Sequence, residues 1–272
     1  MTHARFSALL WAEAAKARRQ PATLVLAAIL VGYFVLIVFA LSSVLVAPAS
    51  SGGGAAGLLA PLREDAVGFV SGILSSIGLT LLVIFTAQTV GQEFSRGTLR
   101  TLLLARARRL DVALSKLALL GLASIVLALF ALAGGVAGAW VFSRVTHEAL
   151  LSVDGRAFAL LALRAAAGFA AWAAIGFGTT LATRSLGVGI GATLGGMIAG
   201  DVLRGLLVSL GTAGLWASRA LPNAAISLVS GTQGIDASAW AWIVPNLLVY
   251  VVGLNVLALA RLRSMDVIAA TK

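Results

Sequence analysis

Residues 22–46 run for 25 positions without a charged side chain. As a helix that run is roughly 37 Å long at about 1.5 Å per residue, enough to cross a hydrocarbon core of about 30 Å. A secretory signal is the competing reading, with Ala47-Pro48-Ala49 as its small-residue cleavage site. Its apolar region would be only about 7–15 residues long, so the run reads as a retained span. Five more apolar stretches follow, at about residues 66–90, 112–142, 157–182, 186–210 and 240–260. The fold class is therefore an all-α membrane protein with six transmembrane helices.

Composition removes the main alternatives. Only 11% of the 272 residues are charged and 60% are hydrophobic, against about 25% charged in soluble domains. A net charge of +10 would point a soluble chain toward nucleic acid. Here the basic residues border apolar runs, where membrane topology explains them, and no nucleic-acid partner is expected. Cysteine is absent, which excludes disulfides, thiolate catalysis and cysteine metal sites. His3 and His147 are far apart in sequence and expected on opposite faces, so a metal site is not expected either.

Cytoplasmic loops retain Lys and Arg, and that bias orients the chain. The segments assigned inside hold Arg5, Lys16, Arg18, Arg19, Arg96, Arg100, Arg106, Arg108, Arg109, Lys116, Arg184, Arg261, Arg263 and Lys272, fourteen of the twenty basic residues. The outer loops hold four, Arg63, Arg144, Arg156 and Arg219. Both termini are expected in the cytoplasm of a multi-pass protein. Residues 3–19 mix Phe6, Leu9, Leu10 and Trp11 with Glu13, Lys16, Arg18 and Arg19, which suits a helix lying in the inner headgroup layer. Residues 47–65 are expected as an outer loop and 183–185 as a tight inner turn. Residues 211–239 are outside but only weakly polar, so short helices dipping into the outer leaflet are expected there. With no repeat and no second domain, residues 1–272 form one membrane domain.

The longest polar interruption is GQEFSRGTLRTLLLARARRLDVALSK, residues 91–116, between the second and third spans. Phe94, Leu99, Leu102 and Leu103 can share one side of a helix there, and Glu93, Arg96 and Arg100 another. Charge alone would only fix orientation and touch anionic headgroups. The run Glu93-Phe94-Ser95-Arg96-Gly97-Thr98-Leu99-Arg100, then Leu102-Leu103, Arg108-Arg109 and Lys116-Leu117, resembles the first cytoplasmic loop of ABC type-2 transporter permeases. It departs from the family pattern at Ala105-Arg106-Ala107, where a proline is common. The resemblance implies an N-terminal connecting helix, a cytoplasmic coupling helix after the second span, and short outer helices before the sixth. It implies that Glu93, Phe94, Arg96, Gly97, Thr98 and Arg100, with the Arg184 turn, dock a separate ABC ATPase subunit. On that reading ATP and Mg bind the ATPase, and this chain binds no cofactor.

Inside the spans, Asp201 and Arg204 stand at i and i+3, close enough to pair. They read either as lining a translocation path or as a structural ion pair. Arg164 is expected to snorkel toward the outer headgroups. The glycines Gly187, Gly191, Gly195, Gly196 and Gly200 allow close helix packing or a dimer seam. Enzyme signatures fail. The three lysines follow Ala15, Ser115 and Thr271, so no P-loop exists, and neither intramembrane-protease pattern is complete. The resemblance implies the permease subunit of an exporter in the inner or plasma membrane, surrounded by lipids and paired with an identical or related permease chain. It would carry an amphipathic, drug, peptide or lipid-like substrate. A stand-alone secondary transporter and a non-transporting scaffold are the alternatives.

Overall fold

The computed structural model describes residues 3–46, 54–95, 109–146, 155–231 and 235–263. Among them there is no strand. The helices are α1 (His3–Arg19), α2 (Pro21–Val46), α3 (Gly54–Ser95), α4 (Arg109–Thr146), α5 (Gly155–Thr183) and α6 (Leu186–Ser209). Two short helices, α7 (Thr212–Ser218) and α8 (Pro222–Ser230), precede the last span. That span is α9 (Trp240–Leu247), a π-helical turn (Leu248–Gly253) and α10 (Leu254–Arg263). Six segments are long and apolar enough to cross a membrane: Pro21–Ala40, Val67–Phe94, Leu110–Arg144, Gly155–Thr183, Leu186–Ser209 and Ala237–Arg261. The six expected spans are all present.

Local chemistry sets several boundaries. Asp65 leaves helical geometry (φ −152°, ψ 80°), and its Oδ1 accepts from Gly68 N at 2.7 Å. It is an N-cap three residues ahead of the donor it satisfies, so the second span starts there. Residues ahead of it in α3 are helical, where an outer loop was expected; the loop reading followed from the Ser-Gly run that precedes them. At the other end of the bundle, Arg184 has φ +56°, a left-handed conformation uncommon for a residue with a Cβ. Ser185 then caps α6 by accepting from Val188 N. Pro245 lies inside α9, and the π-helical turn follows it. Asn255 Nδ2 takes up the Val251 carbonyl in that irregular stretch and also donates to Ala174 O of α5 at 2.9 Å.

The core lies among α3, α4 and α5, with Leu82, Leu120, Phe169 and Phe177 buried together with Ala258 of α10. Gly135 brings α4 close to α3: a Cβ there would lie 2.7 Å from Val67 O and 2.9 Å from Ser71 Cβ. Small residues at such crossings replace the hydrophobic drive that lipid cannot supply. α2 is peripheral. Among its described side chains only Ile37 is buried, and Leu24, Val35 and Phe39 face outward at 60%, 58% and 72% exposure, as lipid contact requires. It is pinned by Ile37, Val70, Leu74, Ala131 and Phe142 and by the edge-on Phe34–Phe130 ring pair.

Candidate functional site

The end of the bundle from which the basic segment departs is held by a four-residue charge network. Glu93 Oε1 accepts from Lys16 Nζ at 2.5 Å and from Lys116 Nζ at 2.8 Å. Lys116 Nζ also donates to Glu13 Oε2 at 3.0 Å and to Thr89 O at 3.1 Å. An ammonium has three donors, and all three are used. Two acids and two bases balance, and the side chains of Glu93 and Lys116 are only 3% and 4% exposed. The network ties α1 to the last turn of α3 and the first turns of α4. It also explains the length of those helices. The spans Val67–Phe94 and Leu110–Arg144 hold 28 and 35 residues, more than the ~20 that a bilayer core needs, so their charged ends can sit at headgroup depth.

These positions correct part of the sequence reading. Glu93 does not present its side chain on an open face; it is 2% exposed and its carboxylate is engaged inside the chain. Phe94, on the apolar side of the segment, is half-buried and packs against the main core. Arg96, Gly97, Thr98 and Arg100 lie outside the described residues. Arg184 is exposed on its turn, and that turn is a neighbour of the α3 end. A Cβ at Gly91 would sit 2.9 Å from the Cα of Leu186, so backbone meets backbone where the basic segment and the turn begin.

Toward the opposite end, α3, α5, α6 and α8 enclose a cleft of about 730 Å³. Thr80, the lining residue of α3 nearest Glu93, is still roughly 20 Å of helix rise away from it. Asp201 is the one charged residue among the described lining. Its Oδ1 accepts from Asn223 Nδ2 at 2.9 Å, and Asn223 Nδ2 also donates to Met197 O at 2.8 Å. Arg204 donates instead to Ser227 Oγ at 2.7 Å. Of the two readings, an Asp201–Arg204 ion pair is not formed among the described residues: both side chains are taken by α8, which folds back from 22 or more positions away. Arg164 also bonds α8. Its Nε and Nη2 donate to Val229 O and Leu228 O at 3.0 and 2.7 Å, capping carbonyls that a helix C-terminus leaves unsatisfied rather than only reaching for headgroups.

A family model described as ABC-2 family transporter protein matches residues 9–200. The chain belongs to the ABC-2 transporter family. Among curated proteins, none matches it. Six apolar helices and this membership make it a multi-pass membrane permease of that family.

For this ABC-2 permease two groups of residues escaped sequence reasoning. Glu13 and Lys16 join the Glu93 network from α1; their i, i+3 spacing on an amphipathic segment was the available signal, but nothing local says that their partners lie 77 and 103 positions away. Ser71, Ser75, Ser76 and Thr80 line the cleft. Ser71 and Ser75, and Ser76 and Thr80, are four residues apart, and the two pairs form a polar stripe along the second span, readable as such once the helix is drawn as a cylinder.

Proposed function

We propose that this ABC-2 permease, acting through residues 1–272 as one membrane domain, is the membrane subunit of an exporter. Its ATP and Mg are bound by a separate ATPase subunit, and this chain has no ATPase site of its own. Two permease chains, identical or related, flank the path in the inner or plasma membrane, with both termini of each in the cytoplasm. The substrate is amphipathic, in the class of drugs, peptides or lipid-like molecules.

The Glu93 network carries this reading. A force applied to the basic segment reaches α3 and α4 at once, because Lys116 and Glu93 lock their ends together, and it reaches α1 through Lys16 and Glu13. Arg96, Gly97, Thr98 and Arg100 then dock the ATPase together with Arg184, while Glu93 and Phe94 anchor the end of α3. The bundle turns as a body, and the cleft bearing Asp201, with Arg204 bonded to its Ser227 wall, opens or closes at the far end. The test is to isolate the full chain from its native membrane and identify what accompanies it. A P-loop ATPase is expected, with export that depends on ATP when the pair is reconstituted. Full transport by the purified chain alone would contradict the proposal.

A further inference from the structure

We propose that the cleft between α3, α5, α6 and α8 binds a protonated amine carried on an apolar body, with the Asp201 carboxylate receiving the ammonium group. The claim that such a molecule is exported rests on the reading above; the claim that it binds does not.

The wall of the cleft offers more acceptors than donors. Ser71 Oγ donates to Gly68 O, Thr80 Oγ1 to Ser76 O, Ser227 Oγ to Ala224 O and Ser230 Oγ to Ile226 O, at 3.2, 3.0, 3.2 and 2.9 Å. A hydroxyl has one proton, so these four offer a ligand only lone pairs, while the Ser75 and Ser76 hydroxyls, which also line the cleft, keep a proton to give. Asp201 adds a carboxylate whose Oδ1 is fixed by Asn223 and whose Oδ2 has no hydrogen bond among the described residues. Arg204 does not line the cleft. A carboxylate at membrane depth that lacks a cationic partner in its own site is costly and marks a function by default. An anion would meet a negative charge here. An ammonium would find complementary acceptors. The rest of the lining, including Phe169, Trp172, Leu161 and Met197, suits the apolar body. The volume of about 730 Å³ falls among pockets for drug-sized molecules, about 300–1,000 Å³. The cleft is open along Gly72, Ser76, Ile198 and Asp201, which are exposed on its rim.

An amine of this kind comes either from an aminolipid headgroup or from a soluble amphiphilic amine. The full chain in nanodiscs of phosphatidylglycerol, which has no amine, is titrated with monodansylcadaverine, a fluorescent dansyl group on an alkylamine. Energy transfer from tryptophan reads binding, and N-pentyl dansylamide is the uncharged control. The amine is expected to bind about tenfold to a hundredfold more tightly than the control, the worth of a hydrogen bond to a charged group. Asp201→Asn should remove that difference and Asp201→Glu should keep most of it. Adding phosphatidylethanolamine to the disc identifies the source: displacement of the probe assigns the site to an aminolipid, and retention assigns it to a soluble amine. Equal affinity for amine and control on the unaltered chain would overturn the proposal, whether or not Asp201→Asn folds. Unchanged amine affinity in a folded Asp201→Asn would overturn it too. Tight amine binding without ATP-driven export would leave the site standing and reject the exporter reading instead.

Discussion

At the scale of single residues, the behaviour of Glu93 follows from burial. Removing one partner of a buried ion pair leaves the other charge uncompensated and costs about 3–5 kcal/mol. Glu93→Gln is therefore expected to lower the unfolding temperature of the detergent-solubilised chain by that much stability. The double variant Glu93→Gln, Lys116→Gln should cost clearly less than the sum of the two single changes, since neither charge is then stranded. Strict additivity in thermal unfolding would mean that the pair does not interact. Arg184 offers a cleaner separation of fold from function. Its φ of +56° is a conformation glycine adopts freely, so Arg184→Gly should keep or raise stability by up to about 1 kcal/mol. If the guanidinium docks the ATPase, the concentration of ATPase needed for half-maximal stimulation should rise about tenfold, as loss of a charge-assisted contact implies. An Arg184→Gly chain that is stable and stimulated like the original would remove Arg184 from the docking face.

At the scale of helices, the close approach of α3 to the start of α6 makes a steric prediction. Gly91→Val must push against the backbone of Leu186, and overpacking of that kind costs about 1–3 kcal/mol. Gly121→Ala, where a Cβ would meet nothing within 4 Å, should stay within about 0.5 kcal/mol. Equal melting temperatures for the two variants would contradict the packing. The spans themselves were legible in the sequence, because hydropathy over about 20 residues reports a property of the segment alone. The ends of α3 and α4 were not. Glu93 and Lys116 read as the two ends of a polar interruption between spans, and nothing local shows that partners on α1 bury them at the ends of α3 and α4. Asp201 and Arg204 are close enough in sequence to pair, but α8 supplies partners for both that local spacing cannot anticipate. The helical residues before Asp65 were hidden by the glycine and serine run ahead of them, which carries the composition of a loop.

At the scale of the whole molecule, two groups of polar residues lie toward opposite ends of the packed helices. One end holds the charge network, the Arg184 turn and the departure of the basic segment; the other holds the cleft with Asp201. Between them the threonine contacts of α5 and α6, including Thr179 Oγ1 to Thr193 Oγ1 at 2.9 Å, and the buried core of α3, α4 and α5 favour movement as a body over bending. At the end of the last span near the short helices, Arg219 lies 4.0 Å from the Trp216 ring and 5.5 Å from that of Trp242, while Asn246 and Tyr250 bind carbonyls at 219, 220 and 221, so the short helices travel with the last span. The chain has no cysteine, so one introduced thiol is a unique reporter of sidedness and contact. The most direct measurement is the labelling rate of Arg184→Cys by a membrane-impermeant maleimide, with Asp236→Cys as the reference for the other face. Intact cells should label position 236 and spare position 184, inside-out vesicles should label position 184, and bound ATPase should slow that labelling. Rapid labelling of position 184 from outside intact cells, or a rate in vesicles indifferent to the ATPase, would contradict a permease driven from within through this turn.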